Sequence, residues 1–401
     1  MTDRLAIIQL DAGSDAKVPP GTVILGLSLV RRIVLGARRA GADRILVLAP
    51  DVEETRRLLE GTSALVATPH EPFPQLPPCR IVLLSGNVLF RRSWLRALFE
   101  VPIERERLYA EASLAGVIES GEPREVLSGG SHGQALPDVF ASVARVRPAI
   151  PRTFAQEGRF VLASPQDCQQ AEDWLLRGLI KETEGFMSRH VERPISLAIS
   201  RRLASTSITP NAMTLFSVGV GLLGAPLFLS SMPAYQLTGA LLFLLHSILD
   251  GCDGELARLK FQESRWGGIL DFWGDNVVHV AVFMCMGIGW SMAAQAAWPL
   301  ILGGTAVAGT LLSAGFVYRH TMREQGKPGP LFTSVSKSGR SWLSQMADAL
   351  ARRDFIYLVV LLSAAGKADW CLVLAGIGAP IFFLVLLTVA ATEARREGRL
   401  T

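Results

Sequence analysis

The feature that most constrains this chain is a series of long apolar runs, separated by short polar breaks, between about positions 209 and 391. A helix that crosses the hydrocarbon core of a bilayer needs about 20 mostly apolar residues. The whole chain of 401 residues has a mean hydropathy of +0.32 and only 19% charged residues. These values predict an integral membrane protein and exclude an ordinary soluble protein of this size.

The apolar runs predict six membrane helices, of which the fifth is short for a full crossing. They lie near residues 214–230, 235–250, 267–290, 293–317, 354–365 and 370–391. Arginine and lysine concentrate before the first helix, between the second and third, between the fourth and fifth, and after the sixth. The other three connections contain only Lys367 as a cation. By the positive-inside rule, this alternation predicts an even number of spans with both termini in the cytoplasm.

The first 170 residues alternate strand-like and helix-like patterns, which favours an α/β domain with a largely parallel sheet. Strands are expected over residues 5–10, 44–49 and 80–85, and a helix over 27–40 with four arginines toward water: Arg31, Arg32, Arg38 and Arg39. The apolar stretch at 5–10 lacks a signal-peptide cleavage site, so we expect this domain to stay in the cytoplasm. Five scattered cysteines indicate neither zinc nor disulfides.

Three segments follow from these patterns: an α/β domain over 1–170, a basic helical juxtamembrane segment over 171–208, and an all-α six-helix membrane domain over 209–401. The basic residues of the middle segment suit a surface of anionic membrane lipid or a bound anion. The same basic residues are explained equally well as the solvent-exposed face of a helix whose positive charges follow the positive-inside rule. No nucleic acid partner is expected.

The most informative motif places four aspartates at the ends of two apolar helices. Asp250 and Asp253 stand three residues apart, and Asp271 and Asp275 four apart, so each pair shares one face of its helix. If the second and third helices are neighbours, both pairs point at one place. Taken singly, such aspartates can simply cap helices or pair with nearby arginines.

Four grouped carboxylates near hydrocarbon are costly and repel one another. A divalent cation with a preference for oxygen ligands removes both problems, and Mg²⁺ or Mn²⁺ is the expected cofactor. Three small residues share these helices and leave room for a ligand, while one arginine offers a planar fork for a phosphate. These residues are Gly254, Ala257, Gly267 and Arg258.

The complete pattern is D-x2-D-G-x2-A-R-x8-G-x3-D-x3-D, from Asp250 to Asp275. It resembles the signature of the CDP-alcohol phosphotransferase (phosphatidyltransferase) family, and every position matches. The resemblance covers roughly residues 180–395. It implies a membrane transferase of phospholipid biosynthesis that moves a substituted phosphate group from a CDP-alcohol to an acceptor hydroxyl and releases CMP. The donor is CDP-diacylglycerol or a soluble CDP-alcohol, and the family pattern also allows a homodimer.

Carried over by position, the resemblance implies a role for each motif residue. Asp250, Asp253, Asp271 and Asp275 would hold the metal, and Asp275 would also be the general base. The CDP moiety would lie along Gly254, Ala257, Arg258 and Gly267. The acceptor, an alcohol or an alcohol phosphate, is left open; four cationic residues are candidates to bind its phosphate, namely Arg193, Arg201, Lys337 and Arg340.

The first domain resembles the sugar-phosphate nucleotidyltransferases, through its first strand, the segment from Arg38 to Asp43 and the segment from Ser164 to Asp167. It departs from that family at two places. The loop after the first strand has a single glycine before Lys17, and Asn87 stands where the family has a metal-binding aspartate. These departures predict an inactive scaffold or regulatory domain.

Two alternatives stay open at this point. In the first, the chain is bifunctional and its first domain also makes the CDP-alcohol. In the second, it is a transporter with an intramembrane acidic site, although no internal repeat of the kind that transporters show is visible.

Overall fold

The computed structural model describes residues 3–10, 18–68, 76–127, 139–180, 185–323 and 355–397. The chain divides into two compact units, Met1–Gly178 and Leu179–Thr401. The segment predicted as juxtamembrane is therefore shared between them.

The first unit is built on a seven-stranded sheet with the order β10-β8-β9-β6-β1-β4-β5. Strand β6 lies at its centre. Its neighbour β1 is parallel to both β4 and β6, and β9 runs antiparallel to both β6 and β8. The largely parallel sheet predicted from the sequence is thus present. Its strands are β1 (Asp3–Gln9), β4 (Arg44–Leu48), β5 (Leu65–Ala67), β6 (Cys79–Ser85), β8 (Leu108–Glu111), β9 (Ala115–Ser120) and β10 (Ala149–Pro151).

Two short ribbons and six helices complete the described part of this unit. The ribbons pair β2 (Val23–Ile24) with β3 (Leu27–Ser28), and β7 (Val88–Phe90) with β11 (Arg159–Val161). The helices are α1 (Leu29–Ala40), α2 (Val52–Leu58), α3 (Arg92–Glu100), α4 (Pro123–Leu127), α5 (Val139–Val146) and α6 (Cys168–Arg177).

Helix α1 corrects one detail of the sequence prediction. Arg32 was expected to face water, but it is buried, with only 5% of its surface exposed. Its guanidinium donates hydrogen bonds to the backbone oxygens of Ile24 and Leu25. The β2–β3 ribbon covers this face of α1. Arg32 therefore supplies the hydrogen-bond donors that water would otherwise supply to these two carbonyl groups.

The second unit is helical throughout its described residues. A π-helical turn, Ser188–Glu192, leads into α7, and a 3₁₀ turn, Ala225–Leu229, extends α8. Helices α8 and α10 begin at capping side chains: Thr209 accepts from the N–H of Ala212, and Ser264 from that of Gly267. The helices are α7 (Arg193–Ala204), α8 (Pro210–Gly224), α9 (Pro233–Leu259), α10 (Arg265–Ala294), α11 (Trp298–Arg323), α12 (Phe355–Ala364) and α13 (Asp369–Glu397).

Four stretches of the described residues are long and apolar enough to cross a membrane: Pro210–Leu229, Arg265–Ala294, Trp298–Arg319 and Asp369–Thr392. They confirm an integral membrane protein and four of the six predicted spans. Helix α12 has only 10 residues, and α9, although 27 residues long, carries several charged side chains in its second half. The two remaining predicted spans therefore differ from ordinary spans in length or in composition.

Helices α9 and α10 both pack against α8, and glycines let α8 and α9 approach closely. A Cβ on Gly239 of α9 would lie 2.9 Å from the backbone oxygen of Gly224 on α8. Close helix approach through small residues is the usual way to gain packing energy inside a membrane, where lipid already solvates apolar side chains. This packing sets the spacing of the polar groups described next.

Candidate metal and transfer site

The four aspartates of the motif lie on α9 and α10, the two helices that pack against α8. Asp250 and Asp253 are on α9 and are buried, with 4% and 5% of their surfaces exposed, while Asp271 and Asp275 are half-buried on α10. Carboxylate oxygens of Asp250, Asp253 and Asp271 all lie within 4.8 Å of one another. The short connection between α9 and α10 thus brings both helix faces together, as the spacing predicts.

The donor set of this cluster fits a hard divalent cation. Mg²⁺ binds oxygen ligands at about 2.0–2.1 Å, so ligand oxygens around one ion are separated by at most about 4.2 Å. The spacing within the cluster, with all oxygens inside 4.8 Å of one another, approaches that value. All three ligands are carboxylates, which suit Mg²⁺ or Mn²⁺ and not a thiophilic metal.

Asp275 occupies a different position from the other three aspartates. It lies one turn beyond Asp271 on α10, and its Oδ1 is 3.3 Å from Nε2 of the buried His246 on α9. Nδ1 of the same histidine lies 3.0 Å from the backbone oxygen of Ser217 on α8. One imidazole therefore joins the three helices that form the site.

Helix α8 also supplies a hydroxyl to the cluster. The side chain of Thr214 is buried and donates a hydrogen bond to Oδ2 of Asp253. Its position follows from the capped first turn of α8, which places residue 214 one turn inside the helix. The hydroxyl holds one oxygen of Asp253 and so limits the rotation of that carboxylate.

The predicted CDP-binding residues lie along the same helix faces. The guanidinium of Arg258 lies beside Gly254, where a Cβ would come within 3.2 Å of its Nη1. A Cβ on Gly267 would lie 3.0 Å from the side-chain oxygen of Asn211, at the start of α8. Ala257, which lies between these two glycines in the sequence, is half-buried. Small residues at these positions let the side chains of Arg258 and Asn211 lie close to the backbones of α9 and α10.

Glu255 forms a second buried polar group on the opposite side of α9. Its side chain has no exposed surface and accepts hydrogen bonds from Arg193 Nη1, Ser196 Oγ and Ser200 Oγ, each at 2.7 Å. All three donors come from α7. The juxtamembrane helix is therefore attached to the helix that carries Asp250 and Asp253.

The tentative acceptor-binding residues are only partly brought together. Arg193 forms the ion pair with Glu255, and Arg201 lies half-buried two turns later on α7. Lys337 and Arg340 lie outside the described residues. Of the other cations near the site, Lys260 donates from Nζ to the backbone oxygens of Thr206 and Ile208, both at 2.7 Å. It fastens the connection between α7 and α8.

The sequence reasoning missed three side chains of this site: Thr214, His246 and Glu255. A signal for the histidine was present, because residues 246, 250, 253 and 257 repeat at helical spacing and share one face of α9. Glu255 carried no comparable signal. It falls within the motif, but on the face turned away from the aspartates.

Comparison with known proteins agrees with this geometry. The family model described as CDP-alcohol phosphatidyltransferase matches residues 207–365. A bifunctional IPC transferase and DIPP synthase of Thermococcus kodakarensis is 41% identical over 109 residues, which cover 27% of this chain and 24% of that protein. A protein of the same name from Rubrobacter xylanophilus is 36% identical over 151 residues, covering 37% and 34%.

An archaetidylinositol phosphate synthase of Pyrococcus horikoshii is 25% identical over 175 residues, which cover 43% of this chain and 86% of that protein. The matches to the two bifunctional relatives span only about a quarter to a third of those proteins. All four aspartates of the motif fall inside the segment that the family model matches. The match of residues 207–365 to the CDP-alcohol phosphatidyltransferase family model therefore confirms the resemblance seen in the sequence.

Proposed function

We propose that this chain is an integral membrane enzyme that transfers a substituted phosphate group from a CDP-alcohol to an acceptor hydroxyl and releases CMP. The observation that carries the proposal is the cluster of Asp250, Asp253 and Asp271, whose carboxylate oxygens lie within 4.8 Å of one another inside the matched segment. A structural role alone gives no reason to group three carboxylates beside apolar helices.

The chemistry follows from these residue types. Asp250, Asp253 and Asp271 would hold Mg²⁺ or Mn²⁺, which neutralises pyrophosphate charge and stabilises the leaving phosphate when bound. Arg258 supports the donor phosphates, with Gly254, Ala257 and Gly267 leaving room for the nucleotide. Asp275 accepts the proton of the acceptor hydroxyl as that oxygen attacks the β-phosphorus. The bond from this phosphorus to the CMP oxygen breaks, and CMP leaves with the electron pair.

The acceptor is proposed to be a phosphorylated inositol, because the name of the Pyrococcus relative contains inositol phosphate. Purified protein should be supplied with CDP-diacylglycerol and, in separate reactions, inositol phosphate, inositol, glycerol phosphate or an amino alcohol. The expected product is a phosphodiester that forms with inositol phosphate and appears in step with CMP. Turnover with another acceptor only would overturn this assignment while leaving the reaction class intact.

The proposed arrangement in the membrane has six spans, with α9 and α12 added to the four long apolar stretches. Helix α9 crosses with its charged second half at one boundary, where the aspartates meet soluble substrate. The excess of arginine and lysine in alternate connections supports a cytoplasmic position for this boundary and for the first unit. Protease treatment of sealed vesicles of known orientation tests this: the first unit should be cleaved only when the cytoplasmic face is outside.

The first unit is proposed to be a scaffold without nucleotidyl-transfer activity. In open α/β sheets, ligands bind at the carboxyl ends of the strands where the strand order reverses, which here is between β1 and β6. Asn87 lies just beyond β6 and is buried. Its side-chain oxygen accepts from Ser85 Oγ at 2.7 Å, and its side-chain nitrogen donates to the backbone oxygen of Leu162 at 3.0 Å. The amide thus ties two loops together in the place where a metal ligand would be required.

This proposal predicts that CTP with any alcohol phosphate yields no pyrophosphate, whereas a preformed CDP-alcohol is turned over. A pyrophosphate-release assay on the full-length protein measures the first reaction, and CMP release from the same preparation shows that the protein is folded. The change Asn87→Asp places an uncompensated carboxylate against the Leu162 carbonyl, so it should lower stability without creating activity. CTP-dependent pyrophosphate from the unaltered protein would establish the bifunctional alternative instead.

A further inference from the structure

The buried imidazole of His246 stands between two oxygen atoms that belong to different helices. The Ser217 backbone oxygen on α8 lies 3.0 Å from Nδ1, and Oδ1 of Asp275 on α10 lies 3.3 Å from Nε2. The carbonyl oxygen can only accept a hydrogen bond, so Nδ1 carries a hydrogen. The opposite nitrogen is then directed at the carboxyl group of Asp275.

The ring has little freedom to leave this position. Only 1% of the residue surface is exposed, and the ring stacks on Phe243 with an angle of 15° between their planes. Gly221 of α8 also lies against the ring, since a Cβ there would come within 3.1 Å of His246 Cγ. The packing of α8 against α9 therefore fixes the plane in which Nε2 meets Asp275.

We propose that His246 is a positioning residue for Asp275, holding its Oδ1 so that the other side of the carboxyl group is presented to the acceptor hydroxyl. This inference rests on the proposed function, because it assigns Asp275 to the acceptor. Nε2 and Oδ1 lie 3.3 Å apart, so a hydrogen on Nε2 points at the carboxyl group of Asp275. The fixed ring therefore sets the orientation of that carboxyl group.

A consequence is that His246 acts on the rate of transfer and not on the binding of the donor. The CDP-binding positions Gly254 and Arg258 lie two and three turns further along α9 and do not contact the imidazole. Loss of the contact allows Asp275 to rotate, which lengthens the distance over which the acceptor proton must move. Residues that orient a functional group in this way typically contribute about 10- to 100-fold to activity.

Two substitutions that introduce a side-chain amide test the contacts of Nδ1 and Nε2 separately. In His246→Asn, the side-chain nitrogen takes the place of Nδ1 and keeps the bond to Ser217, but it does not reach Asp275. In His246→Gln, the nitrogen takes the place of Nε2 and keeps the bond to Asp275. We expect His246→Asn to lower kcat by about 10- to 100-fold with little change in the KM of the donor, and His246→Gln to restore most of that loss.

The matched control is His279→Asn, the same substitution at a histidine of α10. His279 Nδ1 lies 2.7 Å from the backbone oxygen of Asp275, so this histidine does not contact the carboxyl group through that atom. Its kcat should stay close to that of the unaltered protein. Equal losses in His246→Asn and His246→Gln, or full activity in His246→Asn, would overturn the positioning role.

A spectroscopic measurement keeps the inference testable if these variants fold poorly. In protein with isotope-labelled histidine, Asp275→Asn should shift the Nε2 resonance of His246, whereas Asp369→Asn, which lies in α13, should not. An unchanged Nε2 resonance in Asp275→Asn would show that the contact is absent. If the unaltered protein releases no CMP from any CDP-alcohol, the proposed function itself fails, and that outcome is distinct from a failure of the His246 variants.

Discussion

Replacing Asp253 with Asn is expected to lower kcat for CMP release by about 10³-fold or more. A bound metal ion contributes several kcal/mol to transition-state stabilisation, and each 1.4 kcal/mol is a factor of about ten. The amide keeps the hydrogen bond from Thr214, because its oxygen still accepts, but it removes one negative charge from the group of three carboxylates. Asp250→Asn and Asp271→Asn should behave alike, since each removes one member of the same group.

The measurement is a steady-state assay at saturating donor with a titration of Mg²⁺. A weakened site should show a higher metal concentration at half activity as well as a lower maximum. Asp369→Asn is the control, because it makes the same chemical change in the first turn of α13, outside the cluster. Activity of Asp253→Asn within about tenfold of the control, a loss well short of that expected for a metal-ion contribution, would show that the cluster does not hold a metal required for transfer.

The change Glu255→Ala should strongly destabilise the second unit. Glu255 has no exposed surface, and its loss removes an acceptor that Arg193, Ser196 and Ser200 of α7 share. Breaking a buried ion pair by removing one partner typically costs about 3–5 kcal/mol, because the remaining charge is left uncompensated. Thermal unfolding in detergent measures this cost, and α7 should become sensitive to protease at lower temperature.

A double-mutant cycle with Arg193→Met separates the ion pair from the packing of the two helices. Removing both charges should cost less than removing Glu255 alone, because no unpaired charge is then buried. Glu255→Gln should be intermediate, since its amide keeps one oxygen acceptor but replaces the other oxygen with a donor nitrogen, and Ser196 and Ser200 use different oxygens of Glu255. An unfolding temperature for Glu255→Ala equal to that of the unaltered protein would show that α7 is not held by this contact.

The family resemblance and the cluster of aspartates were predictable because they depend on local spacing. Intervals of three and four residues place Asp250 with Asp253, and Asp271 with Asp275, on single helix faces whatever the rest of the fold. The parallel sheet was predictable for the same reason, since apolar strands such as β1 and β6 alternate with helices of regular pattern. In each case, one segment of sequence contains the whole signal.

The contacts that a sequence pattern did not predict are those made between distant segments. Arg32 was expected in water because its neighbours in α1 include three further arginines, yet the β2–β3 ribbon covers it. Arg193 was assigned to the acceptor because it is basic, yet its partner Glu255 lies 62 residues away. His246 meets Asp275 only because α8 sets the spacing between α9 and α10. Such pairs depend on helix packing, which no local interval encodes.

The most direct test of the proposed function is CMP release by the purified full-length protein, given CDP-diacylglycerol and inositol phosphate, before and after chelation of divalent cations. Asp250, Asp253 and Asp271 would hold the cation on which transfer depends, so EDTA should abolish CMP release, and added Mg²⁺ or Mn²⁺ should restore it. Release should also require the acceptor, because a hydroxyl must attack the phosphorus before CMP can leave. Undiminished CMP release in excess EDTA would contradict a metal-dependent transfer at this site.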